Sequence, residues 1–482
     1  GELWQSVLLT PCSFPPRFFN QVMENLLRNP NVTSSLLFRA DILYDSEKDP
    51  ENDLVDDVLE ERGLVKHLKQ ELKPRPGTTF DGYTKQRAVV RKLVPRNPNL
   101  DPELVQTVWN LKKSAGEDEV EEEKNLVVYI PHADDPDSIP FYHPKVQSLA
   151  FLHSFTPETQ SGTLSLHYRL FGSQNVDMST QKEEPSSLTE SLSKLPLPQR
   201  LERIALNLLR TVHKHATGQQ AGYKKRVHHD LLVDQATFQD TYTRLKKKYA
   251  KGLLETWAEV TDPKKHVFED LGIAAFLIEI WRGMYGDQNK KGASQNVFPG
   301  FVDIGCGNGV LVHILLSEGY EGWGFDVRRR KSWAVFPEFV QDKLKDFVLI
   351  PEILRSAVPQ DQDRAILDFL ETGGTHDGIF PAGTFIISNH ADQLTPWTPL
   401  LAYVSNCPFI AIPCCSHALN GKLSRFYDTL PEKSDNHKAS SNNVPSAYAG
   451  FTAHVVKLAA ELGYGVESEV LRIPSTRNLS IV

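Results

Sequence analysis

The 482-residue sequence has little cysteine and no long apolar run. Its five cysteines are an odd number without a C-x-x-C pair, which argues against a disulfide scaffold and favours the reducing cytosol or nucleus. No uninterrupted apolar stretch approaches the ~18–20 residues that cross a bilayer, so we expect no membrane contact. The chain begins with Gly1 rather than Met and shows no basic-then-apolar leader there, which leaves targeting open.

The composition is that of a globular protein with an uneven charge distribution. Hydrophobic residues make up 40% and charged residues 24%, which excludes wholesale disorder, and the length predicts two to four domains. The formal net charge is −8, and Glu117 to Glu123 holds six acids in seven residues, which indicates a solvated acidic insert. The range from Leu201 to Ala250, by contrast, contains ten Lys and Arg and only four Asp and Glu. We therefore expect a basic face on an acidic protein.

Three regions follow one another along the chain. Residues 1–197 mix short alternating runs with turns, which predicts an α+β domain with an antiparallel sheet, closed by a Ser- and Pro-rich linker. Residues 198–296 show apolar residues at spacings of three and four, which predicts a helical, basic block. Residues 297–482 repeat strand and helix patterns, which predicts an α/β, doubly wound, Rossmann-like sheet covered by helices on both faces.

The strongest motif is a glycine-rich turn between the first strand and helix of the last region. It reads Asp303-Ile-Gly305-Cys306-Gly307-Asn308-Gly309, and glycines there let a ligand approach the backbone. Position 310 is Val310, so the dinucleotide fingerprint G-x-G-x-x-G is not met. Asp326, followed by Val327, ends the next strand, where a carboxylate can accept hydrogen bonds from both hydroxyls of a ribose. The alternatives are a turn without a ligand and a helix N-cap.

Four sequence blocks carry a closer resemblance. They read VDIGCGNGVLVHILLSEGYEGWGFDVRRRKSW, ISNHADQLTPWTPLLA, FIAIPCCSHALNG and LRIPSTRN. Together they resemble the eukaryotic tRNA uridine 2′-O-methyltransferases that act on position 44 of serine tRNA, from about Tyr223 to the end of the chain. The resemblance implies a class I methyltransferase fold, S-adenosylmethionine as cofactor, serine tRNA as partner and a cytoplasmic location. Residues 1–219 show no such match.

The catalytic candidates follow the strands of the last region. Methyl transfer to a ribose hydroxyl needs a base or polar groups at the carboxyl ends of the strands. We expect Asp392 and His390 to serve as base or orienting pair, with Asn389 contacting the cofactor or substrate. An N-cap and a structural hydrogen bond are the alternative roles of Asp392 and His390. Lys331 or Arg328 could lower the pKa of the hydroxyl.

Several basic residues are candidates for contacts with tRNA phosphates, and each could equally lie on a solvated face. A zinc site could be formed by Cys414, Cys415 and His417. Because adjacent cysteines do not give the usual C-x₂₋₄-C geometry, we predict no metal. The candidate RNA contacts are Lys224, Lys225, Arg226, Arg329, Arg330, Lys246, Lys247, Lys248, Arg472 and Arg477.

Two other functions stay open on sequence grounds. A methyltransferase could act on a protein or a nucleobase, and a cofactor-binding protein could tether RNA without catalysis. The leading expectation is methyl transfer to the 2′-hydroxyl of a tRNA uridine.

Overall fold

The computed structural model describes residues 4–48, 69, 73–98, 100–113, 122–172, 197–223, 229–286, 297–355, 374–426 and 446–482. The chain divides into two compact units, Gly1–Lys224 and Lys225–Val482. Most of the acidic insert, most of the linker, and the RNA candidates Lys224, Lys225 and Arg226 lie outside the described residues. No helix among the described residues is both long and apolar enough to span a bilayer.

The first unit is built on an antiparallel sheet of seven strands. Its spatial order is β1-β7-β6-β5-β4-β3-β2, so that consecutive strands from β2 to β7 are neighbours and β1 pairs with β7. Alternating apolar and polar residues, as in the run LSLHYRL of β7, suit strands with two different faces. The strands are β1 (Gln5–Cys12), β2 (Leu37–Asp45), β3 (Tyr83–Pro95), β4 (Leu104–Lys113), β5 (Glu123–Pro131), β6 (Ser148–Thr156) and β7 (Ser161–Arg169).

Two helices bury their apolar faces against one side of this sheet. Helix α1 (Pro16–Arg28) starts with proline at its first position, where the missing N–H costs no hydrogen bond. Helix α2 (Gln199–Gln220) buries Leu201, Ala205 and Leu209 in the same apolar cluster as α1 and the sheet. The predicted antiparallel α+β domain is confirmed.

The boundary between the units differs from the predicted one. The periodicity of α2 predicts a buried face, but it does not specify the surface that buries it. We placed this helix in the helical block from residue 198, whereas it completes the core of the first unit. The division consequently lies at Lys224 and Lys225 rather than at 197.

The second unit is a doubly wound sheet of seven strands, as expected. Its order is β10-β9-β8-β13-β14-β16-β15; the strands from β10 to β14 are parallel, and β16 runs antiparallel to β14 and β15. A separate parallel pair joins β11 (Val348–Leu349) and β12 (Thr375–His376). The main strands are β8 (Phe301–Ile304), β9 (Gly322–Asp326), β10 (Leu344–Asp346), β13 (Phe385–Asn389), β14 (Phe409–Ile412), β15 (Ser468–Val470) and β16 (Leu479–Ile481).

Helices cover both faces of the second sheet. On one face, α3 (Gln235–Glu255), α4 (Pro263–Tyr285) and α5 (Val310–Ser317) pack in one apolar cluster with alternate residues of the strands. On the other face lie α8 (Thr398–Ser405) and α9 (Ala447–Glu461). The short helices α6 (Glu338–Gln341) and α7 (Glu352–Arg355) lie between β9 and β12 in the chain.

The strand order fixes the place of a ligand. In the sheet, β9 lies beside β8 on the side away from β13, and β14 lies beside β13 on the side away from β8. The strand order therefore reverses between β8 and β13. Parallel sheets bind ligands at such a reversal, outside the carboxyl ends of the strands. The glycine loop follows β8, and His390 follows β13, so both lie at this position.

Candidate active site

The glycine loop after β8 adopts a conformation that requires glycine. Gly305, Gly307 and Gly309 all have positive φ, at 74°, 52° and 74°. A Cβ at Gly305 would lie 3.2 Å from the Cβ of Ala391, whereas one at Gly307 would meet no atom within 4 Å. The loop is therefore packed at Gly305 and leaves open space at Gly307, where a ligand can approach the backbone.

Asp326 lies directly beneath this loop at the end of β9. The carboxylate is only 7% exposed, and its Oδ2 accepts the N–H of Gly307 at 3.0 Å. Its Oδ1 accepts the N–H of Arg328 at 3.2 Å and lies 3.3 Å from the guanidinium of Arg330. The structure thus brings together the loop and the acid that the sequence predicted, while Val327 beside them is 60% exposed.

A cavity of about 440 Å³ opens beside the loop. Of the predicted cofactor residues, Asp303, Gly305, Cys306, Gly307, Asn308 and Asn389 line it. Of the four predicted catalytic residues, only His390 lines it, since Asp392, Arg328 and Lys331 lie elsewhere at the surface. The predicted RNA contacts Arg330 and Arg477 also line this cavity.

Buried carboxyl groups with raised pKa values line the cavity. Asp303 is 2% exposed, and its Oδ1 has no hydrogen-bond partner among the described residues. Burial, and then the charges of Asp270 and Asp326, hold the pKa of Asp303 well above its usual range. Burial and the neighbouring Glu269 raise the pKa of Asp270 to about 8. A positively charged ligand would favour the ionised forms of these acids, and the predicted methyl donor carries a sulfonium and an ammonium group.

Asp270 predicts a specific dependence of stability on pH. Since its pKa is about 8 in the folded state and 3.8 without perturbation, the folded state keeps a proton that the unfolded state loses. Stability is therefore lost as pH rises from about 4 to about 8. Asp270→Asn should raise the thermal midpoint at pH 8 and change it little at pH 4, while the exposed Asp342→Asn should change neither. A midpoint difference that is equal at both pH values would contradict this assignment.

His390 is held by an acid from helix α4. Its Nε2 lies 2.9 Å from Oε1 of Glu269, and its Nδ1 is buried without a partner among the described residues. Burial raises the pKa of Glu269, but the hydrogen bond and charge of His390, with Ser475 and His266, together outweigh it, and the pKa lies below its usual range. His390 has φ of 51°, a conformation rare outside glycine that is often kept for function. The pair has the arrangement of an oriented general base.

Asp392 has a different partner from the one expected. Its Oδ1 accepts the thiol of Cys414 at 3.1 Å, whereas the hydrogen bonds of His390 lead to Glu269. The donor atoms of Asp392, Cys414 and Cys415 lie within 4.8 Å of one another. Burial and the acid raise the pKa of Cys414 to about 12, so the thiol keeps the proton that a metal would displace. The expected absence of a metal stays a prediction.

The remaining RNA candidates of the second unit have varied surroundings. Arg472 forms a bidentate ion pair with Asp230 at 2.8 and 2.6 Å, which gives it a structural role. Lys248 pairs with Glu318 at 2.9 Å, and the ammonium of Lys246 lies 5.1 Å from the centre of the Phe268 ring. The RNA candidates Lys247 and Arg329 are exposed, and so are Arg328 and Lys331, which the sequence predicted as catalytic.

Sequence reasoning missed Glu269 and Asp270. They lie in helix α4, which is apolar around most of its circumference and buries thirteen residues. Two adjacent acids inside such a helix were the available signal, because buried charges are retained where they have a partner or a function. The side chain of Asn389 donates to Oδ1 of Asp270 at 3.4 Å, which connects this helix to the end of β13.

The fold and this site agree with comparisons to known proteins. Residues 1–226 match a family described as "TRM44-like, N-terminal bet v1-like domain", and residues 232–351 match "Predicted AdoMet-dependent methyltransferase". The resemblance therefore also covers the first unit, contrary to our expectation for residues 1–219. No solved structure matches the chain.

Curated relatives match the chain along its whole length. A Neurospora crassa protein named tRNA (uracil-O(2)-)-methyltransferase is 45% identical over 99% of this chain and 86% of its own. Proteins with the same name from Candida glabrata and Saccharomyces cerevisiae are 39% and 36% identical over 100% of this chain and 89% and 87% of their own. The chain belongs to this tRNA (uracil-O(2)-)-methyltransferase family and is an enzyme that uses S-adenosylmethionine as its methyl donor.

Proposed function

We propose that this enzyme methylates the ribose 2′-hydroxyl of a tRNA uridine, that the uridine is position 44 of serine tRNA, and that it does so in the cytoplasm. The proposal rests on the full-length relationship to proteins named tRNA (uracil-O(2)-)-methyltransferase. A cavity lined by the glycine loop supports it. Position 44 and serine tRNA rest on the resemblance of the four sequence blocks.

The acids and the loop would hold the cofactor. Bound S-adenosylmethionine supplies a methyl group on a positively charged sulfur and is released as S-adenosylhomocysteine. The carboxylate of Asp326 is an acceptor for ribose hydroxyls, and the open space at Gly307 admits the ligand to the backbone. The positive charge of the cofactor would favour the ionised forms of Asp303 and Asp270, whose pKa values are raised in the structure. The orphaned Oδ1 of Asp303 fits this assignment, because a buried carboxylate oxygen without a donor is costly.

The His390–Glu269 pair would activate the substrate. His390 would take the proton of the 2′-hydroxyl as that oxygen accepts the methyl group that the cofactor supplies. Nδ1 of His390, which is buried without a partner among the described residues, would receive that proton, since Nε2 is engaged by Glu269. Glu269 fixes the ring and stabilises the imidazolium that forms. Placement of the two reacting atoms would supply much of the remaining acceleration.

The exposed cations after β9 would contact tRNA phosphates. Arg328 and Lys331 are exposed and lie beside the carboxyl end of the cofactor strand. The double variant Arg328→Ala, Lys331→Ala should bind tRNA about tenfold more weakly and reduce the slope of log K against log salt by about 1–2. The matched double variant Lys251→Ala, Lys457→Ala removes two exposed lysines on other helices and should bind normally. Filter binding over a salt series gives both quantities, and equal losses in the two variants would contradict the assignment.

A defined substrate tests the proposal. Purified enzyme and methyl-labelled S-adenosylmethionine are incubated with unmodified serine tRNA, or with the same tRNA carrying cytidine at position 44, followed by digestion to nucleosides. We expect label in 2′-O-methyluridine with the first tRNA and a loss of that label with the second. Label in a base or in protein would support a different substrate, and bound cofactor without turnover would support an RNA-tethering protein. Methylation of a different uridine would contradict only the assignment to position 44.

A further inference from the structure

The first unit contains a cavity of its own, which the methyl-transfer site does not use. It has a volume of about 460 Å³, within the range of about 300–1,000 Å³ typical of small-molecule sites. Its walls come from β3, β4 and β5, from the segment that follows α1 and from one face of α2. Leu26, Leu93 and Phe151 supply part of an apolar floor.

A buried guanidinium reaches this cavity. Arg91 is 6% exposed, and its Nη1 donates to the carbonyls of Leu26 and Leu27 at 2.9 and 2.7 Å. Its Nε and Nη2 both donate to Oε1 of Gln106, at 3.0 and 2.7 Å. Among the described residues no carboxylate pairs with Arg91. The carbonyls at the end of α1 and the ring of Tyr129, whose centre lies 5.1 Å from the guanidinium of Arg91, offset its charge in part.

Two further arginines stand on helix α2 at the cavity. Arg200 and Arg203 both line it, and across the described part of the chain no aspartate or glutamate does so. Burial lowers the pKa of His143, another lining residue, to about 4, so this imidazole is neutral at pH 7. Among the described residues that line the cavity, three arginines therefore have no acidic counterpart. The hydrogen bonds of Arg91 to the carbonyls at the end of α1 explain why an arginine is buried there, but they do not explain the two arginines on α2.

An exposed aromatic ring lies beside these arginines. Phe141 is 65% exposed, lines the cavity, and has the guanidinium of Arg200 at 4.0 Å from its ring centre. Nucleobases stack on aromatic rings and on guanidinium planes, and arginine holds phosphate through paired hydrogen bonds. Arg200 also donates to the backbone carbonyl of Phe141, and no ion pair joins Arg200 or Arg203 to a carboxylate among the described residues. An apolar floor, stacking surfaces and these two cations match the parts of a nucleotide better than those of a wholly apolar ligand.

We propose that this cavity binds a single nucleotide, with its phosphate held by Arg200 and Arg203 and its base packed beside Phe141. The nucleotide can be a free mononucleotide or one nucleotide of the bound tRNA, since the recognised chemistry is the same. The inference does not depend on which uridine is methylated, and its test does not need turnover.

Calorimetry on the full chain tests the site. S-adenosylhomocysteine at saturation occupies the methyl-donor site, and uridine and adenosine 5′-monophosphates are then titrated separately. We expect saturable binding of at least one of them. Arg203→Glu and Phe141→Ala should each weaken it about tenfold or more. Arg210→Glu is the matched control, because Arg210 is exposed on the same helix and does not line the cavity, and its affinity should stay within about twofold.

Competition separates the two sources of the nucleotide. If added tRNA displaces the mononucleotide and Arg203→Glu weakens tRNA binding, the occupant is a nucleotide of tRNA. If the mononucleotide binds equally well with tRNA present, the occupant is a free nucleotide. Absence of saturable binding to the wild-type chain, or equal binding by the Arg203→Glu and Arg210→Glu variants, overturns the proposal. Neither result bears on methylation of uridine, which is measured separately.

Discussion

Asp326→Ala should lower the affinity for S-adenosylmethionine by about 100-fold or more. The side chain lies at the end of β9, beneath the glycine loop, and it is almost fully buried. Hydrogen bonds to a charged acceptor contribute about 1.5–3 kcal/mol each, so the loss of two ribose contacts amounts to about 3 kcal/mol or more. That loss is about a factor of 100 in the dissociation constant. The N–H of Gly307 would also lose its acceptor.

Asp346→Ala is the matched control for this variant. Asp346 is the direct neighbour of Asp326 in the pairing of β10 with β9, but its side chain is 59% exposed, whereas that of Asp326 is buried and accepts the N–H of Gly307 in the loop. Calorimetry with S-adenosylhomocysteine should give near-normal affinity for this control and a large loss for Asp326→Ala, with both proteins folded by circular dichroism. Equal affinities in the two variants would remove Asp326 from the cofactor site.

His390→Ala should lower kcat by about 100- to 10,000-fold, the range that a general base contributes. Cofactor affinity should change little. Glu269→Gln should give a smaller fall in kcat, because His390 keeps its imidazole and loses only the carboxylate that orients it. Single-turnover rates measure both falls, and calorimetry with S-adenosylhomocysteine measures the cofactor affinity.

Glu255→Gln is the control for Glu269→Gln, since Glu255 is 65% exposed on helix α3 and does not line the cavity. Its rate should equal that of the wild type. If His390→Ala keeps near-normal turnover, the base lies elsewhere, and Asp392→Asn then tests the other predicted candidate. If Glu269→Gln keeps the wild-type kcat, Glu269 does not position His390 for the reaction.

The parts of the site that local chemistry specifies were predictable from sequence. The three glycines of the loop each need positive φ, and glycine is the residue that adopts it readily. Strands β8, β9, β13 and β14 are short apolar runs bounded by turns, and they lie in the region 297–482 where the repeating strand and helix pattern predicted a doubly wound sheet. Asp326 was identified because the end of the next strand in a doubly wound sheet lies beside the loop.

The parts that depend on tertiary packing were not predictable. Glu269 reaches His390 from a helix 121 residues earlier in the chain, and no local pattern specifies that contact. Arg472 is a cation in an apparently exposed loop, yet it pairs with Asp230 at a sequence separation of 242 residues. Helix α2 shows its buried face in the sequence, but the sheet that covers this face is known only once the chain has folded.

The most direct test of the central claim uses serine tRNA in which uridine 44 is replaced by 2′-deoxyuridine. This substrate keeps the base, the phosphates and the tRNA fold, and it lacks only the oxygen that the proposal methylates. With methyl-labelled S-adenosylmethionine, we expect label to enter the unmodified tRNA as 2′-O-methyluridine and none to enter the deoxyuridine substrate. Equal labelling of the two tRNAs would show that the methyl group goes to another atom and would contradict the account.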